Sequence, residues 1–205
     1  MLTRAGWPWV LPSLTAGALL GAWGAYRGGP VYAIAALPLL ALGAFLAAFF
    51  RDPERTGGTG VLAAADGRVI VVREEGARVR IGTFMNVTNV HVNRAPYPGL
   101  LVRVDDRGGP RKPAFSPEAS GNAQKRYLFG TPLGLVEVVQ ITGILARRCR
   151  AFKGAGSSVR RAERFGMIVF GSRVDVVLPS RAVRVRVRPG DRVRAGETPL
   201  AEVLL

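Results

Sequence analysis

Histidine and cysteine each occur once in this 205-residue chain, as His91 and Cys149. One cysteine excludes an intramolecular disulfide, and one histidine leaves no His/Cys constellation for zinc, so no metal is expected. Acid is also missing locally, because residues 1–50 contain no Asp or Glu and only Arg4 and Arg27 as cations. A solvated surface pair of helices needs more charge than that. The segment is instead two apolar runs, at about residues 7–26 and 30–50, each near the ~20 residues that carry an α-helix across a bilayer.

The break between the runs, Arg27-Gly28-Gly29-Pro30, is a turn signal, which predicts a helical hairpin over residues 1–50. Gly- and Ala-rich faces suit close helix packing, and Trp7, Trp9, Trp23 and Tyr26 fall where interfacial aromatics sit. A cleaved signal peptide fits less well, since the second run follows at once and no small-residue cleavage site is evident. Residues 51–205 hold 27 Lys and Arg against all 14 Asp and Glu, a formal +13. Such charge beside apolar helices points to an anionic membrane surface, and Arg51, Arg55 and the basic domain are expected on the cytoplasmic side of the cell membrane. No nucleic acid is expected, because helix-turn-helix, zinc-finger and aromatic-basic RNA-binding patterns are all lacking.

Beyond a Gly-rich linker ending near Gly60, short β-branched runs alternate with Gly, Pro, Asp and Asn. The runs at residues 67–73, 77–84, 90–93, 99–105, 133–144, 165–169, 175–178 and 182–187 predict a mainly β catalytic domain, an antiparallel barrel-like sandwich. Residues 141–152 read as strand or helix equally well, and residues 107–126, rich in Gly, Pro, Ser and Lys, read as a long functional loop. The Pro189-Gly190-Asp191 and Ala195-Gly196-Glu197 turns resemble those of biotinyl and lipoyl barrels. A carrier role needs a lysine at an exposed turn, and none follows Lys153. Cys149, among Arg147, Arg148 and Arg150, reads as a structural thiol.

Between two apolar runs lies Phe170-Gly171-Ser172-Arg173. Gly171 leaves its carbonyl open to close approach, and Ser172 offers a hydroxyl one residue on. This is the requirement for an N-to-O acyl shift: the hydroxyl attacks the carbonyl, the ester eliminates to dehydroalanine, and hydrolysis leaves a pyruvoyl group at the new N-terminus. The ketone can form a Schiff base with an amine and serve as an electron sink. The plain alternative is a bulge or tight turn. His91, in Asn89-Val90-His91-Val92-Asn93-Arg94, is the only side chain whose ordinary pKa suits proton transfer near neutrality, and alternation puts Asn93 on its face. Asp66, in Ala65-Asp66-Gly67, reads either as an Asp-Gly turn or as a group that orients His91.

In order, Phe50-Arg51-Asp52-Pro53-Glu54-Arg55, Ala65-Asp66-Gly67-Arg68-Val69, Asn89-Val90-His91-Val92-Asn93-Arg94, Ala114-Phe115 with Glu118-Ala119-Ser120 and Asn122, Gln140-Ile141-Thr142-Gly143, and Arg164-Phe165-Gly166-Met167-Ile168 with Phe170-Gly171-Ser172-Arg173-Val174-Asp175 resemble the motifs of the phosphatidylserine decarboxylases, specifically their short prokaryotic branch. The resemblance covers nearly the whole chain. It implies self-cleavage between Gly171 and Ser172 into a β chain of residues 1–171 and an α chain of residues 172–205, which stay together as a heterodimer. It implies a pyruvoyl cofactor made from Ser172, a processing triad of Asp66, His91 and Ser172, and decarboxylation of phosphatidylserine to phosphatidylethanolamine. Arg94 stands where longer members carry a second histidine, and residues 122–126 depart from the branch's pattern. Arg94 and Lys112 are the candidates for holding the head group. Two other readings stay open: the same chemistry on an ether-linked serine lipid, and a non-catalytic membrane-tethered β module that binds anionic lipid or nucleic acid.

Overall fold

The Gly-Gly-Pro break does end one helix and start another. In the computed structural model, which describes residues 1–144, 148–169 and 172–204, α1 spans Trp7–Arg27 and α2 spans Pro30–Phe49. Gly28 takes the left-handed conformation (φ 68°) that lets its N–H return to the Gly24 carbonyl, and Pro30 occupies the first turn of α2, where its missing N–H costs nothing. Gly17 and Gly24 of α1 face Leu40 and Tyr32 of α2 so closely that a Cβ would lie 2.9 and 2.7 Å from them. Among the described residues α2 alone is long and apolar enough to cross a bilayer.

These helices belong to one compact unit, Met1–Glu54, and the strands to a second, Arg55–Leu205. The strands are β1 (Val61–Leu62), β2 (Gly67–Glu75), β3 (Arg78–Met85), β4 (Val92–Arg94), β5 (Gly99–Arg107), β6 (Gln124–Thr131), β7 (Gly134–Thr142), β8 (Arg148–Ala151), β9 (Ser158–Val159), β10 (Arg164–Val169), β11 (Ser172–Pro179), β12 (Val183–Val185), β13 (Arg192–Val193) and β14 (Pro199–Val203). All their pairings are antiparallel. A large curled sheet runs β13-β2-β3-β11-β7-β6-β5-β9, with two smaller sheets, β1-β14-β12 and β4-β10-β8. The mainly antiparallel β architecture with an N-terminal helical hairpin is as expected from the runs.

The structure settles one open detail of the sequence reading and changes two. Residues 148–151, open between strand and helix, form β8. The supposed loop at 107–126 holds a 3₁₀ turn at Pro117–Gly121 and gives its last three residues, Gln124, Lys125 and Arg126, to β6, a strand between β5 and β7. His91 precedes β4 instead of lying inside a strand. The core is built from the inward faces of these strands, and Phe165 anchors it with edge-to-face contacts to Tyr127 and Phe129 at 4.7 and 5.5 Å between centroids. Truncating such a buried ring to alanine costs about 3–5 kcal/mol.

Candidate active site

Ser172 opens β11, and its backbone is paired on both sides, with Met85 of β3 and Thr142 of β7. The chain reaches it from β10, which belongs to a different sheet, so the expected cleavage junction lies where the polypeptide crosses between sheets. Gly171 itself, with Phe170, residues 145–147 and Leu205, lies outside the described residues.

His91 is placed by that same crossing. Its carbonyl accepts the Ile168 N–H at 3.2 Å, and Met167 pairs with Val92, so the histidine lies beside the part of β10 that leads into Ser172. Its ring is fully buried, and Nδ1 lies 2.9 Å from the Asn89 carbonyl. A carbonyl can only accept, so Nδ1 carries the proton and Nε2 carries the basic lone pair.

Asp66 is buried too, but its hydrogen bonds run to other groups. Its carboxylate accepts from Arg55 at 3.1 and 2.9 Å and from the Ala195 N–H at 2.7 Å. Arg55 also reaches Glu197 at 3.1 Å. The His91 ring is thus oriented by the Asn89 carbonyl, while Asp66 is a fixed carboxylate that lines the same cleft as Asn89, a space of about 790 Å³. Arg55 appears in the sequence motif, but its partnership with Asp66 is invisible there.

Behind His91 a chain of buried amides stiffens β4. Gln140 Nε2 donates to Asn93 Oδ1 at 2.7 Å, Tyr127 donates to Gln140 Oε1 at 3.1 Å, and Asn93 Nδ2 donates to the Ala64 carbonyl at 3.3 Å. Burial pushes the Tyr127 phenol far above its ordinary pKa, which keeps it a neutral donor. Gly166 makes room for this chain: a Cβ there would lie 2.9 Å from the Tyr127 hydroxyl and 3.1 Å from Gln140 Nε2. Tyr127 was missed in the sequence, though the alternation Tyr127-Leu128-Phe129 was there to signal an inward face.

The two head-group candidates occupy different settings. Arg94 is buried, donates to the Ala162 carbonyl at 3.1 Å, and lines a cleft of about 470 Å³ with Arg55, Arg160, Arg161 and Arg164. Lys112 is exposed and pairs with Glu118 at 3.4 Å. The backbone of Lys112 is clamped by Asn122, which also donates to the Thr142 carbonyl at 2.7 Å, so this loop is tied to the strand end that pairs with Ser172. Cys149 pairs with Ile168 in the β8–β10 ladder, and burial pushes its thiol up to about 12, as suits a structural residue. Among the described residues no group of His, Cys, Asp and Glu is arranged to hold a metal ion.

The chain is similar to known proteins along almost its whole length. The sequence pattern of the family described as phosphatidylserine decarboxylase matches residues 42–201. The chain is 43% identical over 201 residues to a phosphatidylserine decarboxylase proenzyme of Thermobifida fusca, covering 97% of this chain and 91% of that one. It is 43% identical over 211 residues to a putative archaetidylserine decarboxylase proenzyme of Halobacterium salinarum, covering 98% and 100%. A phosphatidylserine decarboxylase proenzyme of Streptomyces avermitilis is 41% identical over 199 residues, covering 96% and 91%.

Proposed function

Because the chain belongs to the phosphatidylserine decarboxylase family, we propose that it is a carboxy-lyase proenzyme, cleaved by its own residues between Gly171 and Ser172, that converts phosphatidylserine to phosphatidylethanolamine and carbon dioxide. The observation that carries this reading is the meeting of the only imidazole with the strand that runs into Ser172, through the Ile168–His91 backbone bond. Ser172 follows Ile168 by four residues, and so short a stretch of chain spans at most ~14 Å, so the histidine and the serine share one neighbourhood.

The residues fit the cofactor that the family implies. A pyruvoyl group formed from Ser172 supplies a ketone that takes up the substrate amine and draws off the electrons released with carbon dioxide. His91, with Nδ1 committed to the Asn89 carbonyl, takes the Ser172 hydroxyl proton through Nε2 during cleavage. Asp66, the third member of the processing group that the family implies, is held by Arg55 and the Ala195 N–H on the wall of the cleft that Asn89 also lines. Arg94, a guanidinium, is a poor proton donor, which leaves His91 or water to return the proton to the substrate carbon.

Cleavage need not separate the fragments. The α chain contributes β11 between β3 and β7, β13 beside β2, and β14 beside β1, so its ladders tie it to the β chain. The hydrophobic α2 supports attachment to the cell membrane, with the basic domain on the cytoplasmic side. Intact mass of the purified protein is expected to show two fragments, the smaller beginning with a pyruvoyl at position 172, and Ser172→Ala a single chain. An uncut wild-type chain that still releases carbon dioxide from phosphatidylserine would overturn the reading. The equal identity to the putative archaetidylserine enzyme favours a second reading, the same reaction on an ether-linked lipid, and turnover of diacyl against diether serine lipids separates the two.

A further inference from the structure

Resting on the decarboxylase reading, we propose that Asn89 is the positioning residue for His91, in the place that the family resemblance gives to Asp66. An imidazole takes up a proton at Nε2 only while its own proton stays on Nδ1, and which nitrogen carries the proton is set by the hydrogen bond the other makes. Asp66 gives its carboxylate to Arg55 and to the Ala195 N–H. The partner of Nδ1 is the Asn89 carbonyl, at 2.9 Å. Asn89 was read in the sequence only as a neighbour of the histidine.

The carbonyl is held from both sides. Asn89 closes a four-residue turn twice over: its N–H donates to the Asn86 carbonyl at 3.0 Å, and its side-chain Oδ1 accepts the Asn86 N–H at 2.8 Å. The next residue, Val90, is buried, and the His91 carbonyl beyond it accepts the Ile168 N–H at 3.2 Å, which ties the chain to β10. Between these two anchors the Asn89 carbonyl has little freedom to turn away from the ring. The Asn86 carboxamide takes no part, since it accepts the Val87 N–H at 2.6 Å, and Asn86 serves Asn89 through its backbone alone.

Burial makes this bond decisive. The ring is fully buried while Asn89 is half-buried at the rim of the cleft. The other tautomer would set a bare Nδ1 against the Asn89 carbonyl, two acceptors facing each other away from water, which costs far more than an unmade bond in solvent. In the cleavage step the Ser172 hydroxyl gives its proton to Nε2 as its oxygen bonds to the Gly171 carbonyl carbon. The ring becomes an imidazolium, Nδ1 still donates to the Asn89 carbonyl, and that bond strengthens because its donor is now charged. The turn therefore selects the reactive tautomer beforehand and stabilises the charged ring afterwards.

The test uses the full chain carrying Ser172→Ala, in neutral-detergent micelles, with isotope-labelled histidine and nitrogen NMR. His91 is the only imidazole, so its ring nitrogens are assigned without ambiguity. At about pH 8, above the ordinary imidazole value of about 6.5, a single tautomer protonated on Nδ1 is expected. Asn89→Ala should mix the two tautomers. Asn89→Asp, which keeps the Oδ acceptor, Asn86→Ala, which keeps both backbone groups that Asn89 uses, and Asp66→Asn should each leave the single tautomer in place. With Ser172 restored, cell-free synthesis should show Asn89→Ala slowing conversion to fragments by at least about tenfold and Asn89→Asp by no more than about twofold. An unchanged tautomer in Asn89→Ala, or equal mixing in Asn86→Ala, overturns the assignment. Asp66→Asn decides even where Asn89→Ala fails to fold, because mixed tautomers there return the positioning role to Asp66. Fragment masses report separately on the decarboxylase reading, which fails as an uncut wild-type chain whatever the tautomer.

Discussion

Arg68 and Arg173 stand in one row across the large sheet, yet the two are in opposite electrostatic states. Arg173 is buried and bound to Asp175 at 2.6 and 2.9 Å, Asp175 also accepts from Arg80 at 3.1 Å, and Arg80 closes on Glu75 at 2.7 and 3.0 Å. Two cations face two carboxylates, and the group is neutral. Arg68 and Arg192 face each other with no such carboxylate among the described residues. In a chain with 29 Lys and Arg, the presence of arginine therefore says little. What separates the two arginines is whether the fold has already supplied a counter-charge.

Removing a counter-charge should therefore break the protein on one side of the row, and removing a cation should spare it on the other. Asp175→Asn leaves buried Arg173 and half-buried Arg80 beside a neutral group and should destabilise by about 3–5 kcal/mol, whereas exposed Arg68→Gln should stay within about 0.5 kcal/mol. Denaturant unfolding of the β unit measures both, and similar losses would erase the distinction. Gly82→Ala probes the same neutral cluster sterically. A Cβ there would stand 2.8 Å from Asp175 Oδ1 and 3.0 Å from Arg173 Nε, a strain expected to cost about 1–3 kcal/mol. Because Arg173 is also the residue whose backbone follows position 172, this variant should slow turnover as well as lower the unfolding midpoint.

The alternating Val and Arg of β2 and β3, and the apolar run of β10, announce strands because half-buried sheets need that period. β6 was hidden because Gln124, Lys125 and Arg126 at its start extend a polar Gly-Pro-Ser stretch, and only Tyr127 and Phe129 turn inward to the core. For the proposed site, Ser172, His91 and Asp66 stand out in the sequence because each is chemically distinctive or tied to a motif. Their partners were not. Asp66 is held by Ala195, 129 positions away, through a backbone N–H that any residue would offer, and Arg192 meets Arg68 only through ladder register. Arg94 and Lys112 drew attention by lying in motifs, and motif membership carries no information about which cations the fold has neutralised.

The smallest expected effect lies at the solvent edge of the neutral cluster. Glu75 has its pKa lowered chiefly by the hydrogen bond from Arg80, with burial opposing and the Arg80 charge assisting. A carboxyl whose folded value is depressed contributes stability that is present above its unfolded value of about 4.3 and is lost as pH falls through the lower, folded value. Glu75 is partly exposed, so after solvent screening this amounts to less than about 1 kcal/mol. Wild type and Glu75→Gln should then differ by a constant margin from neutrality down to about pH 5 and converge only below it. Arg68→Gln, which breaks no carboxylate pair, should instead track wild type across the whole acid range, and a pH-dependent gap there would mean that Arg68 has a counter-charge after all.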